Sequence, residues 1–432
     1  MLFYNLNKPE EKVDFRNATT RGLGSEKGLF FPERIPVFPK EWINKLGDVS
    51  NEEIAWTIMS SYVGDAIPEK FLRRIVKETI DFDIPLVAVS ENISTLELFH
   101  GPTLAFKDVG ARFMSRCLGY FMKGNDRPVT VLVATSGDTG GAVASGFLDV
   151  EGVNVIILYP SGKVSPVQEL QLITPGKNIS AIELEGSFDD CQTLVKQAFS
   201  DKELGEHIFL TSANSINIAR WLPQQIYYFI AWKLWKNKLN PPVISVPSGN
   251  FGNICAGLLA YHSGLPVNHF IAACNVNAVV PDYLKTGVYQ PVKAKASLSN
   301  AMDVGDPSNF VRVLALFNSE FELLKKMMSS ESISDEETGA AIRTLYRDFK
   351  YLADPHGAVG WLALNRWIES HPGTRGIFLE TAHPVKFPDT VEKFAGVSIE
   401  IPESVRSLLN KKKTAVKMDA DYNQFRKFLF EA

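Results

Sequence analysis

With 432 residues, 45% of them hydrophobic and 22% charged, the chain is long enough for two or three domains, and its composition excludes disordered and fibrous classes. The 45 basic and 49 acidic side chains leave a net charge of −4, and no basic run exceeds Lys411-Lys412-Lys413, so nucleic acid is not an expected partner. Cys117, Cys191, Cys255 and Cys274 are too scattered for a zinc site or a disulfide framework and suit a reducing cytoplasm. The first residues carry Lys8, Glu10 and Glu11 where an export signal needs apolar side chains, and the densest apolar run, Tyr227 to Trp232, is too short to cross a membrane.

Residues 1 to about 90 are charged and helical in pattern. Pro68 opens an amphipathic stretch in which Phe71, Leu72, Ile75 and Val76 recur at helical spacing. This segment reads as a small N-terminal helical unit (1–90) ahead of a larger region (91–432). From about residue 91, short apolar runs alternate with Gly- and Ala-rich segments: Val129–Val133, Val153–Tyr159, Ile208–Leu210, Val243–Val246 and Gly376–Leu379. Such alternation predicts βαβ units and an α/β fold built on parallel sheet. The aromatic run from Ile226 to Trp235 follows Pro223 in a helical pattern and suits core packing, with an interface as the lesser option. Asp335-Glu336-Glu337, ahead of Ala340, Ile342, Leu345 and Phe349, predicts a capped surface helix.

Three segments carry candidate chemistry. In Phe99 to Asp108, Lys107 sits among apolar side chains just past a Gly-Pro turn. Desolvation there would favour the neutral amine, able to form a Schiff base or move a proton, although a lysine snorkelling from a helix start would look the same. After the Val129 run, Thr135-Ser136-Gly137-Asp138-Thr139-Gly140-Gly141 opens a helix whose free N–H groups make an anion socket. Pro247-Ser248-Gly249-Asn250-Phe251-Gly252-Asn253 repeats that design after Val243–Val246, and two sockets suggest two anionic groups. Thr211 to Arg220 adds hydroxyl and amide donors and one arginine, in a setting that also suits a plain helix cap. No G-x-x-x-x-G-K-[ST] occurs, and Gly22-x-Gly24 meets Gly28 one residue too late for G-x-G-x-x-G, so ATP and NAD lose support. G-x-S-x-G and H-E-x-x-H are also missing.

In order, these segments resemble the threonine synthase family of fold-type II, tryptophan-synthase-β-like pyridoxal-phosphate enzymes. The resemblance runs over nearly the whole chain, through Arg21-Gly22-Leu23-Gly24 with Gly28 to Pro32, His100 to Asp108, Thr135 to Gly140, Asn214 to Asn217 with Arg220, Pro247 to Gly252, Leu298 to Asp303, and Thr381 to Phe387. It implies two parallel-sheet αβα domains plus the N-terminal unit, with pyridoxal 5'-phosphate as cofactor. The implied activity is that of a carbon–oxygen lyase acting on phosphates, turning O-phospho-L-homoserine and water into L-threonine and phosphate, the last step of threonine biosynthesis. It further implies that Lys107 holds the cofactor as a Schiff base and shuttles protons. Ser248, Gly249, Asn250, Phe251, Gly252 and Asn253 would cradle its phosphate, and the Thr381 hydroxyl would meet its ring nitrogen. Ser136, Gly137 and Thr139 would take the substrate carboxylate, and Asn214, Ser215 and Arg220 the substrate phosphate.

Asp138 stands where the wider fold type places asparagine beside the cofactor's phenolic oxygen, although one branch of threonine synthases shares the aspartate. An ionised aspartate touching a phenolate would require a shared proton. The expected setting is a cytoplasmic monomer or homodimer with no metal, membrane or nucleic-acid partner. The competing readings are a phospho-lyase or a serine/threonine dehydratase of the same fold, and a non-catalytic threonine-synthase-like binding protein.

Overall fold

A computed structural model describes residues 1–125, 127–411 and 414–431; Lys412 and Lys413 of the basic run lie outside the described residues. In chain order its strands are β1 (Leu2–Asn5), β2 (Lys8–Asp14), β3 (Phe30–Pro32), β4 (Leu86–Ala88), β5 (Ile93–Glu97), β6 (Val129–Ala134) and β7 (Val153–Pro160). They continue as β8 (Ile179–Glu185), β9 (Phe209–Ser212), β10 (Val243–Pro247), β11 (His269–Cys274), β12 (Met328–Ser332), β13 (Gly376–Glu380) and β14 (Val416–Asp419). They form three sheets, ordered β2-β1-β3, β12-β11-β10-β13-β5-β4 and β14-β8-β7-β6-β9. The last is parallel throughout, and the six-stranded sheet is parallel except for its edge strand β4.

Both larger sheets are covered on both faces, which explains why their strands read as continuous apolar runs. Alternate residues nevertheless divide between cores. Val129, Val131 and Val133 of β6 and Ile244 and Val246 of β10 enter one large apolar cluster shared by the two sheets. Leu132 and Ala134 face a second cluster on the far side of the five-stranded sheet, and Val243, Ile271 and Phe378 a third beyond the six-stranded one.

The N-terminal segment holds the expected helices but also the sheet β2-β1-β3. Periodicity missed β2 because Lys8–Asp14 is a largely exposed, charged strand with no apolar face to betray a period of two. The Pro68 signal holds: Glu69–Thr79 is helical and buries Leu72, Ile75 and Val76, leaving Phe71 exposed. These elements join the same large cluster through Phe3, Phe15, Ile58 and Tyr62. The helix Asp335–Phe349 begins with a Ser334–Glu337 capping box, and Gln225–Trp232 is buried on every side, as core packing requires.

The strand order determines where loops can meet. β10, β13 and β5 are neighbours, and their carboxyl ends lead to Ser248, to Thr381 and, through the Leu98–Phe106 loop, to Lys107. In the other sheet β6 and β9 are neighbours and lead to Ser136 and Asn214. Ligand clefts in parallel sheets form at such carboxyl ends.

Candidate active site

Lys107 is the first residue of the helix Lys107–Met122, and three backbone links hold it there. The Phe106 N–H donates to Thr381 O at 2.9 Å, His383 N–H to Leu104 O at 3.0 Å, and the Tyr227 hydroxyl to Phe106 O. The loop therefore runs against the chain leaving β13, which brings Thr381 beside the helix start. Asp108, buried next to Lys107, accepts from Thr103 N at 2.9 Å and Thr103 Oγ1 at 2.5 Å. A side chain at Gly101 would approach its Oδ2 to 2.5 Å, so glycine is required for this tight turn.

Lys107 Nζ lies 3.5 Å from Asp138 Oδ2. Asp138 is 3% exposed, and its other oxygen takes Lys386 Nζ at 2.7 Å and Gln168 Nε2 at 2.9 Å. Burial alone would push this carboxyl up; the Lys386 and Lys107 ammoniums outweigh it and hold the group well below the carboxylate range. Burial lowers Lys107, Asp138 opposes that, and the nearby Lys386 and Arg220 charges lower it again. Asp138 is thus an anion between Lys386 and Lys107, and burial makes Lys107 give up its proton more readily. In this protein Lys386 balances the charge of the Asp138 carboxylate.

The backbone around Asp138 is already partly committed. Thr135 Oγ1 accepts from Gly137 N and Gly140 N, each at 2.9 Å, so two of the socket's N–H groups are taken and those of Ser136, Asp138 and Thr139 are left for an anion. Gly137 has φ +132°, and a Cβ there would come within 2.5 Å of the Gln168 side chain. The same glycine therefore permits both the turn and the Gln168–Asp138 bond.

The second loop is held by neutral groups. Asn250 Nδ2 donates to Ser215 Oγ at 3.0 Å, Asn309 Nδ2 donates to the same oxygen at 2.9 Å, and Ser308 N–H donates to Asn250 Oδ1 at 2.6 Å. Phe251 adopts left-handed geometry (φ +60°) and hands the chain to the helix Gly252–His262. Ser248 is buried with its hydroxyl on Val246 O at 2.8 Å. Asn253 is buried with Nδ2 unpartnered, while its Oδ1 accepts from the Tyr228 hydroxyl at 2.8 Å. An orphaned donor in the first turn of an eleven-residue helix fits a phosphate dianion.

The three residues assigned to one phosphate have different neighbours. Ser215 joins the Asn250 loop, and Asn214 Nδ2 approaches Ala134 O at 3.5 Å at the end of β6. Arg220 packs on the first turn of the Lys107 helix, where a Cβ on Gly110 would meet its carbonyl at 2.5 Å and its Nε at 3.3 Å. Arg220 is 4% exposed, and its Nε and Nη1 have no hydrogen-bond partner. Burial lowers it to about 10, with Asp108 and Tyr227 opposing.

Four contributors were not singled out from the sequence. Lys386 and Asp108 lay inside quoted motifs without an assigned role, and Gln168 drew no attention because it looks like an ordinary third residue of a helix capped by Ser165. A fourth, Arg312, is fully buried and directs its guanidinium at the carbonyls of Phe30, Ser215 and Ile216 and at Asn309 Oδ1, tying β3 to the Ser215 loop.

A profile of pyridoxal-phosphate dependent enzymes matches residues 41–374, and one of the threonine synthase C-terminal region matches 357–429. The threonine synthase of Escherichia coli (strain K12) is 44% identical over 99% of each chain. The crystal structure of threonine synthase from Escherichia coli superposes with a TM-score of 0.93 at 44% identity, covering 100% of both chains. A PLP-bound threonine synthase from Brucella melitensis gives 0.93 at 33% identity, covering 100% of this chain and 99% of that one. The two parallel sheets and the loops at their carboxyl ends are those of the fold-type II enzymes. The chain belongs to the threonine synthase family of pyridoxal-phosphate-dependent enzymes.

Proposed function

We propose that the chain converts O-phospho-L-homoserine and water into L-threonine and phosphate in the cytoplasm, with residues 91–432 carrying the chemistry and residues 1–90 bracing it. The observation that supports this substrate class is Arg220: a buried guanidinium with two unpartnered nitrogens, packed one helical turn from Lys107. A buried cation whose donors carry no hydrogen bond, with only the field of Asp108 against it, is costly, and a phosphorylated substrate removes that cost on binding.

Pyridoxal phosphate, when bound, supplies the electron sink that makes the hydrogens next to the amino-acid carbon acidic. The residues that would hold it are Lys107, the Ser248–Asn253 loop with the Asn253 amide, and Thr381, whose hydroxyl would face the ring nitrogen. Asp138, fixed by Lys386 and Gln168, stands beside the Lys107 amine and keeps a carboxylate there. Burial loosens the hold of Lys107 on its proton, so its amine can take a proton from a substrate carbon and give it back. Ser136 and Thr139 would orient the substrate carboxylate, with Gly137, whose N–H is held by Thr135 Oγ1, shaping the turn between them. Arg220 would hold the phosphate while its bond to carbon breaks, and Asn214 and Ser215 would reach it from the end of β6 and from the Asn250 loop.

Arg220→Ala tests this reading. Removing such a charge partner costs about 2–5 kcal/mol, and at about 1.36 kcal/mol per tenfold that lowers kcat/KM for O-phosphohomoserine on the order of 30- to 4000-fold. Side activity on unphosphorylated serine or threonine should fall far less, and parallel losses on both substrates would remove Arg220 from the phosphate site. Chromatography of the products separates threonine synthesis from a phospho-lyase or dehydratase, which would leave 2-oxobutyrate.

A further inference from the structure

We propose that Lys386 is a positioning residue for the reaction: its buried ammonium holds the Asp138 carboxylate from behind, so that Asp138 meets Lys107 with a single oxygen and carries a charge balanced by Lys386 instead of by a proton. This rests on the reading that Lys107 bears the cofactor.

The geometry is specific. Lys386 is 0% exposed, and its Nζ is shared between Asp138 Oδ1 at 2.7 Å and Thr103 O at 2.9 Å. Gln168 Nε2 also donates to Oδ1, and Gln168 is itself fixed by accepting from Ser165 N at 3.1 Å. Oδ1 is therefore occupied from two sides, and Oδ2 is turned to Lys107. The Thr103 residue that holds Lys386 through its carbonyl also donates twice to Asp108 through its N–H and hydroxyl, so both acids are tied to one turn of chain.

The charged and titratable groups around Lys386 are Asp138, Asp108, Lys107 and His383, and Arg220 adds its field at Lys107. The consequence is competitive. Were residue 386 neutral, Asp138 would be paired with Lys107 alone, and the proton on the Lys107 nitrogen would be held more firmly. With Lys386 present, the carboxylate stays neutralised whether or not Lys107 carries a charge. A loss of charge at Lys107 then leaves no buried anion alone.

The test uses the full-chain holoenzyme and follows the visible absorbance of bound cofactor as a function of pH, with borohydride reduction and peptide mapping to identify the lysine that carries it. Lys386→Gln should move the absorbance midpoint upward by about one unit or more, a tenfold change in the proton's affinity. Lys386→Arg should keep it within about half a unit of the parent. A folded Lys386→Gln protein with the label on Lys107 and an unmoved midpoint overturns the proposal, as does an Arg variant that shifts as far as Gln. A label on another lysine overturns the assignment of Lys107 and this proposal with it. If Lys386→Gln does not fold, Asp138→Asn/Lys386→Gln leaves neither member of the ion pair buried alone. Its midpoint should lie above that of Asp138→Asn, in which Lys386 repels Lys107 unopposed, and equal midpoints would show that Lys386 has no influence there.

Discussion

Two loops of nearly the same local sequence, Ser136-Gly137-Asp138-Thr139-Gly140 and Ser248-Gly249-Asn250-Phe251-Gly252, each leave a parallel strand and open a helix. In the first, the positive φ falls on Gly137, the helix starts at once with Asp138, and the third position is an anion clasped by Lys386 and Lys107. In the second, the positive φ falls on Phe251, the helix starts two residues later, and the third position is an amide held by Ser215 and Ser308. On the proposed reading the neutral loop, whose Ser248 N–H is already given to Ala273 O, would offer its later N–H groups and the Asn253 amide to a dianion, whereas the charged one places a carboxylate next to the Lys107 nitrogen. One strand–turn–helix pattern thus yields two electrostatically opposite sites, and the distinction is made by distant partners more than by the loops themselves.

Exchanging the third position of each loop should expose that difference. The largest effect is expected from Asp138→Asn, which leaves the Lys386 ammonium buried without its counter-ion; breaking such a pair costs about 3–5 kcal/mol. The sign with pH follows from the direction of the shift. Asp138 is depressed in the folded protein, so its contribution is complete above about pH 4, the unfolded value, and is lost as pH falls through the lower folded value. Denaturant melts of parent and variant should therefore lie far apart at pH 7 and converge in acid. Equal stability at pH 7 would mean that the ion pair contributes nothing.

Gly249→Ala is next. A methyl group there would come within 2.5 Å of Met302 Cα, backbone that cannot swing aside, and overpacking of this kind typically costs about 1–3 kcal/mol. The glycine is thus explained by the wall it touches, residues Ala301 and Met302, and a loss of cofactor affinity in this variant should accompany a lower melting temperature. Affinity lost at unchanged melting temperature would return the explanation to the phosphate. The smallest change in stability is expected from Asn250→Asp, within about 1 kcal/mol, because the Ser215 hydroxyl can donate to the new carboxylate. Its cofactor affinity should still fall by about tenfold or more, since an added anion faces the phosphate dianion. Equilibrium titration of the cofactor would show this, and unchanged affinity would place the phosphate elsewhere.

The sequence disclosed the parts of the molecule whose signals are local. Continuous apolar runs marked β6, β7, β9, β10 and β13, and the Ser-Gly turns marked both loops. A buried-strand signal failed for β2, which is charged, and for β12, whose Met328-Ser329-Ser330-Glu331-Ser332 has almost no apolar content yet pairs in register with β11. Lys107 could be put forward because its apolar neighbours are adjacent in the chain, although those neighbours alone suit a snorkelling lysine equally well. Lys386 was not, since nothing in His383-Pro384-Val385-Lys386-Phe387 indicates that the partner is residue 138. Arg312 was hidden for the same reason: its carbonyl partners are supplied by β3 and by the loop after β9.

The bond from Lys386 to the Thr103 carbonyl spans 283 positions of the chain, which has a consequence during synthesis. At about 5–20 residues per second, Lys386 is added roughly 14 to 57 seconds after Thr103. For that interval the strands and helices around Asp138 can assemble, but the carboxylate has no cation behind it, and its burial is unfavourable. A nascent chain paused before residue 386 should keep this loop open to solvent, sensitive to proteases and unable to retain the cofactor.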